Sequence, residues 1–402
     1  MKSWTEISVS ALRNNVAAIR AAAGDDAQLL AVIKANGYGH GGDLIAPILV
    51  DCGLTWLGVA DIEEGANIRR ALGRHDAHIL LMSGIEPADA PAVLQHRLTP
   101  VIWTTAQVQA LETAAERAGR RPAVHLEIDT GMARQGASPG PQLRRVVDAL
   151  HRSKWVRMEG VLTHLTSSER RDSSQTVAQL DRLQHALDLL KTEEGDVLLP
   201  DFIHIANSSA LDEGSTTEWV RRVARAMRAN LLVRPGIALY GYCLEIENAL
   251  EAENGGLLSP STRELAPQLQ PILTWKTRIL ATRNIAAGQT VGYGATFAPD
   301  RPMRLALLPI GYSDGFRREA SSATGDDWVR GWVRIAGQPA PVVGRVSMNL
   351  TVVDITNIPA AIEGAEVTLL GDGVTAEDHA RWCGTISYEI LCGIRAHRRL
   401  VD

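Results

Sequence analysis

A chain of 402 residues is long enough for two domains, or for one large barrel with an appendage. With 45% apolar residues, 22% charged residues and a net charge of −5, it reads as an ordinary globular protein and not as a bulk nucleic-acid binder. No apolar run approaches the roughly 18 residues of a membrane span, and Cys52, Cys243, Cys383 and Cys392 show neither a C-x-x-C pair nor metal-ligand spacing.

The opening residues MKSWTEISVS lack the apolar stretch of a signal peptide, and the cysteines read as reduced thiols, so the expected location is the cytoplasm. SWTEISVS (within 1–10) reads as a strand expected to pair with the C-terminal domain. One pattern then repeats: a short apolar run, a polar or small turn, a helical stretch. The apolar runs are 29–35, 55–60, 78–84, 98–103, 123–129, 156–164, 201–207 and 230–236, and the clearest helical patterns span 104–119 and 173–191. Near-continuous apolar strands separated by helices imply parallel strands covered on both faces. Their number predicts an α/β region, a (β/α)8 TIM-type barrel over 11–244. The competing doubly wound sheet would want a G-x-G-x-x-G turn after its first strand, which is absent. Between the last two strands, Trp219, Val220, Val223 and Met227 form an apolar stripe opposite Arg221, Arg222, Arg225 and Arg228. That pattern predicts an amphipathic helix whose basic face is solvated. Residues 245–270 are polar and read as a linker, and the short Gly- and Pro-punctuated runs of 271–402 read as an all-β domain.

A TIM barrel carries its site on the carboxyl ends of the strands. Those ends hold Lys34, Arg134, His164, Asn207, Ser208 and Arg234. The turns ANSSA and RPGI after strands seven and eight offer small residues and backbone donors, where such barrels bind phosphate. A lysine beside a phosphate site suits pyridoxal 5′-phosphate (PLP), whose aldehyde forms a Schiff base with a lysine. A phosphate-binding isomerase or aldolase would satisfy the same set.

AVIKANGYGHG (31–41) resembles the PLP-lysine motif of the alanine racemases, AVVKANAYGHG. DTGMARQG (129–136) resembles their DTGMGRLG, and THL (163–165), ANSSA (206–210) and VRPGIALYG (233–241) match in order. Further along, VGYGATF (291–297), GYSDGF (311–316), GRVSMN (344–349) and TISYEI (385–390) resemble VSYGATY, GYADGY, GRVCMD and TIPYEI. The resemblance implies a PLP-dependent racemase of a small amino acid, most simply alanine, working as a homodimer with shared sites. By it, Lys34 and the partner subunit's Tyr293 would be the two bases, as racemisation needs one on each face of the α-carbon. Free lysine and tyrosine titrate near about 10.4 and 10, so both would need tuning. Tyr38, Asn207, Ser208, Gly236, Ile237 and Tyr388 join the cofactor-binding set, with His164 orienting the tyrosine and Arg234 facing the pyridine nitrogen. Arg134 would bind the substrate carboxylate, and Met348 would line the pocket from the partner subunit. No metal is implied.

One departure bears on the site. Two residues before DTGM the family commonly has a lysine, often carbamylated; here it is Glu127, expected to pair with Arg134 directly or through a water. Rival readings are a serine or broad-specificity racemase, a decarboxylase of the same architecture, and a PLP-holding regulatory protein.

Overall fold

The computed structural model describes residues 2–171, 173–190, 197–248, 265–325 and 330–402. The chain divides into two compact units, one of Arg13–Gly37 and Gly42–Gln270, the other of Met1–Leu12, Tyr38–Gly41 and Pro271–Asp402.

The first unit is a closed eight-stranded parallel barrel. Its strands are Ala27–Val32, Trp56–Val59, His78–Leu81, Thr99–Ile102, Ala123–Glu127, Arg157–Leu162, Phe202–His204 and Asn230–Val233. The last pairs with the first, with Val233 opposite Leu29, and this closes the ring. Each strand is shorter than its apolar run at the carboxyl end. The extra residues of each run, such as Lys34 and Asp129, leave the ladder to form the rim. Helices cover the outside because their starts are capped: Thr104 and Gln107 form a reciprocal capping box for Thr105–Ala118, and Ser173 caps Ser174–Asp188.

The barrel interior is not purely apolar. His125 and His204, both fully buried, share a 2.8 Å nitrogen–nitrogen hydrogen bond. A Cβ at residue 160 would lie 2.6 Å from His125 Nδ1, so Gly160 makes room for that pair. Burial drives both imidazoles to the neutral form.

The predicted basic helix is Ser215–Ala226, with Met227 and Arg228 just past its end, and a separate short helix, Ser208–Glu213, precedes it. Its basic face is only partly solvated. Arg221 pairs with Asp26, bonds Glu218 at 3.1 Å and donates to the Ala23 carbonyl at 2.7 Å, while Arg225 reaches Asp26 at 2.9 Å. Nearly two hundred residues apart in sequence, the acid and the arginines meet only because the barrel closes. Of the expected linker, residues 249–264 lie outside the described residues. Residues 265 and 266 anchor to the barrel unit, their amides donating to Asp212 Oδ1 at 3.2 and 3.0 Å.

In the second unit the strand Ser3–Ser8 lies between Leu273–Arg278, antiparallel, and His397–Val401, parallel. Glu6 fixes this register by binding Arg399 and, at 3.0 Å, Lys276. Although burial opposes ionisation, the bonds from Arg399, Trp4 and Lys276 hold its carboxyl down at about 2. A six-stranded and a three-stranded sheet make up the unit. The unit is mostly strand, as expected, and also carries two helices, Ala376–Cys383 and Ser387–Gly393. Thr375 and Asp378 form a capping box for the first, a T-x-x-D signal that the strand-like texture of the surrounding sequence masks.

Candidate functional site

Lys34 stands two residues beyond the first barrel strand and begins a left-handed turn. Ala35, Asn36 and Gly37 have φ of 53°, 52° and 61°. For residues with a Cβ this conformation costs roughly 1–2 kcal/mol each. The turn is held by specific bonds: Gly37 N donates to Ile33 O at 2.7 Å, and Asn36 Oδ1 accepts from Gly42 N at 2.8 Å. The Glu64 carboxylate accepts from Asn36 N at 3.0 Å and from Ala60 N at 2.9 Å, tying the turn to the end of the second strand. At residue 37 a Cβ would meet Ile45 Cδ1 at 2.9 Å, so glycine is required by both angle and space.

Arg134 projects, exposed, from the loop after the fifth strand. The loop is closed at its base by Asp129 N to Ala137 O (3.1 Å) and Ala137 N to Glu127 O (2.8 Å). Inside it, Asp129 Oδ1 accepts the amides of Gly131, Met132 and Ala133 at 2.9, 3.0 and 3.1 Å. Glu127 is buried at the base. Its hydrogen bond comes from Gln135 Nε2, not from Arg134 as the sequence suggested, and Gln135 Nε2 also donates to Met82 O at 2.9 Å. Arg134 makes no direct bond to Glu127 and favours its charge through space. Burial raises the Glu127 pKa, while Gln135, Arg234 and Arg134 oppose that rise.

Arg234 is buried at the end of the eighth strand and spends its terminal nitrogens on main-chain carbonyls. Nη1 donates to His204 O at 2.5 Å, and Nη2 shares its two hydrogens among Thr163 O at 2.9 Å, Ile205 O at 3.1 Å and His164 Nδ1 at 3.2 Å. Its Nε makes no bond to a described residue. Burial draws its pKa down to about 10, so it stays cationic at neutral pH. Because a guanidinium can only donate, His164 Nδ1 is an acceptor and the ring proton sits on Nε2. Burial and the charges of Arg234, Arg134 and Lys34 push the His164 pKa down to about 3, so the ring is neutral. Those same charges place Lys34, Arg134, His164 and Arg234 in one electrostatic neighbourhood. Gln179, buried on its helix, holds the His164 strand end by donating to His164 O at 3.0 Å.

Asn207 caps the helix Ser208–Glu213, accepting Ala210 N at 2.9 Å. Ser208 Oγ accepts Gly236 N at 3.0 Å and Ala238 N at 3.2 Å. With both lone pairs taken, its own proton is left to donate.

In the second unit, Tyr38 is buried against Tyr388, with ring centroids 5.8 Å apart, and burial raises its pKa well above the ordinary phenol value. A Cβ at residue 39 would come within 2.2 Å of Leu391 O, which explains the glycine there. Tyr293 lies on a turn flanked by Gly292 and Gly294, both at positive φ, and is 70% exposed. A Cβ at Gly294 would touch Arg345 Nη1 at 2.9 Å, so that guanidinium lies along the turn. Met348 is also exposed, and its carbonyl accepts from Ser313 N at 3.0 Å, beside exposed Tyr312.

The sequence reading missed Glu64, Gln135 and Gln179 as groups that hold the site. Two had signals. Asp61 and Glu64 have D-x-x-E capping spacing, and Gln135 stands where the resembling motif has leucine. Gln179 had none, since an interior helix glutamine looks like a surface one.

No helix among the described residues is long and apolar enough to cross a membrane, and no cluster of His, Cys, Asp or Glu there could hold a metal. The alanine racemase N-terminal domain family matches residues 7–243 and the alanine racemase C-terminal domain family matches 272–401. An alanine racemase of Syntrophobacter fumaroxidans is 36% identical over 98% of this chain and 96% of its own length. The crystal structure of alanine racemase from Streptomyces coelicolor superposes with a TM-score of 0.84 at 31% identity, covering 100% of this chain and 98% of that one. Alanine racemase from Bartonella henselae, solved with covalently bound pyridoxal phosphate, gives a TM-score of 0.80 at 25% identity, with 100% of both chains covered. With both halves matched, in order and nearly end to end, the chain belongs to the alanine racemase family and is an amino-acid racemase, an isomerase.

Proposed function

We propose that the protein interconverts L- and D-alanine with PLP as cofactor, as a homodimer whose two sites each draw on both subunits. The observation that carries this reading is Arg234: a buried cation whose Nε–H makes no bond to a described residue, beside a neutral His164 that itself lies in the field of the strand-end Lys34.

The residues fit PLP. Lys34 offers the amine for a Schiff base. Ser208 has a hydroxyl proton to give, because Gly236 and Ala238 occupy its lone pairs, and the Ile237 amide is unspent among the described residues. Arg234 can only donate, so it suits a ring nitrogen kept unprotonated. We assign Tyr38, Asn207 and Tyr388 to the cofactor's surroundings on the strength of the motifs. Bound PLP supplies the electron sink that makes the substrate α-proton acidic.

The chain's own groups then move one proton. Lys34 serves one face of the α-carbon and the partner subunit's Tyr293 the other; whichever is unprotonated takes the α-proton, and the other returns one. His164 holds its Nε2 proton and can donate it to the phenolate oxygen, which stabilises the tyrosine's basic form without a competing ring charge. Arg134 receives the substrate carboxylate, with Glu127 behind it. Met348 lines the pocket from the partner subunit. Alanine is favoured over serine or a larger substrate because the relatives named above are alanine racemases. Decarboxylase and regulatory readings have no observation in their favour. None of the four cysteines forms a disulfide, which supports a reducing compartment, and we place the enzyme in the cytoplasm.

Lys34→Ala tests this reading. The variant is expected to lose racemisation of L-alanine and the visible absorbance of bound PLP. Retained activity, or covalently retained PLP, would sink it. A panel of L-amino acids assayed for D-product ranks the substrates.

A further inference from the structure

We propose that Gln135 is a positioning residue for substrate binding: its side-chain amide clamps the Glu127 carboxylate and the Met82 carbonyl, and so fixes the loop that presents Arg134. The inference rests on the reading above that Arg134 takes the substrate carboxylate.

The geometry is specific. Gln135 Nε2 has two hydrogens and two acceptors, Glu127 Oε2 and Met82 O. A flipped amide would set its oxygen against a carboxylate and a carbonyl, so the assignment is forced. Met82 follows the third strand and Glu127 ends the fifth, so one side chain pins the loop to two staves of the barrel. Gln135 adjoins Arg134 in the chain, and the loop cannot shift at its base. A Cβ at Gly136 would lie 2.6 Å from Asp129 N, which shows how closely the two ends of the loop approach.

The clamp also has an electrostatic side. The charged groups acting on Glu127 are Arg234 from the eighth strand and Arg134 and Asp129 from its own loop. The first two favour its ionised form and Asp129 disfavours it. Burial is the largest influence and favours the neutral acid, and the Gln135 bond opposes burial. Arg134 itself is exposed and makes no hydrogen bond or ion pair with a described residue, so its orientation depends on the loop and on the charge behind it.

Steady-state kinetics of the PLP-loaded enzyme with L-alanine across pH 5–9 test the proposal. Gln135→Met keeps side-chain length and removes the donors. It should raise KM about tenfold, the order expected for one lost hydrogen bond to a charged group, and leave kcat within about twofold. The acid limb of kcat/KM should move to higher pH, because Glu127 then protonates more readily. Gln135→Asn, too short to reach both acceptors, should act in the same direction, and melting temperature checks that each variant folds. In a Glu127→Gln background the limb should be gone, and adding Gln135→Met should move nothing further along the pH axis. An unchanged KM and limb in folded, active Gln135→Met and Gln135→Asn enzymes would overturn the clamp, as would an identical limb shift in the Glu127→Gln background. Wild-type enzyme that fails to racemise alanine would instead count against the functional reading itself.

Discussion

Individual residues on this rim are set by hydrogen-bond capacity. Arg234 can only donate, so it dictates which nitrogen of His164 carries a proton. Ser208 accepts twice and must therefore donate once. Backbone angle matters as much at Ala133, which has φ of 56° in the Arg134 loop, where the resembling motif has glycine. A left-handed residue with a Cβ costs roughly 1–2 kcal/mol, against roughly 0.4–1 kcal/mol of extra unfolded-state entropy for glycine. Ala133→Gly should therefore stabilise the protein by about 0.5–1 kcal/mol. Urea denaturation with the midpoint rising at constant slope would bear this out; a lower midpoint would show that Ala133 packs in a way the angle does not capture.

At the level of elements, the left-handed turn that carries Lys34 cannot persist on local preference. Its neighbours over-determine it, and Glu64 does most by accepting two main-chain amides from different strand ends. Glu64→Ala leaves both amides to water and should cost about 1–3 kcal/mol. Because the turn follows directly on Lys34, kcat should fall more than KM rises, which separates loss of base placement from loss of substrate binding. A variant destabilised but with unaltered kcat would mean the turn is held by Asn36 and Ile33 alone.

On the scale of the whole molecule, Tyr293 is 70% exposed although the proposed chemistry needs it beside a substrate, a conflict that the proposed dimer would resolve. If the sites are shared, a Lys34→Ala chain and a Tyr293→Ala chain are each dead as homodimers. In their heterodimer, one site carries both lesions and the other carries neither. Equal amounts, reassorted at random, give half heterodimers with one good site of two, so activity should recover to about a quarter of wild type. The mixture must be formed by co-expression or partial denaturation, because an obligate dimer exchanges slowly. Verified heterodimers no more active than either parent would place both bases in one chain.

The sequence by itself determined the eight parallel strands, because each is buried on both faces and must be written as an unbroken apolar run. It also carried Lys34, His164, Ser208, Arg234 and Tyr293 in motifs, since their neighbours are glycines and small residues with no freedom to vary in such tight turns. It did not carry the partners of polar groups that meet across the barrel. Gln135 binds both Glu127 and the Met82 carbonyl, Arg221 is drawn to Asp26, and His125 lies against His204 where Gly160 leaves space. Periodicity reports which face of an element is buried, not which hydrogen-bond donor another strand brings to the same point. The tertiary structure decided those pairings, because a buried polar group takes whatever partner barrel closure puts within reach.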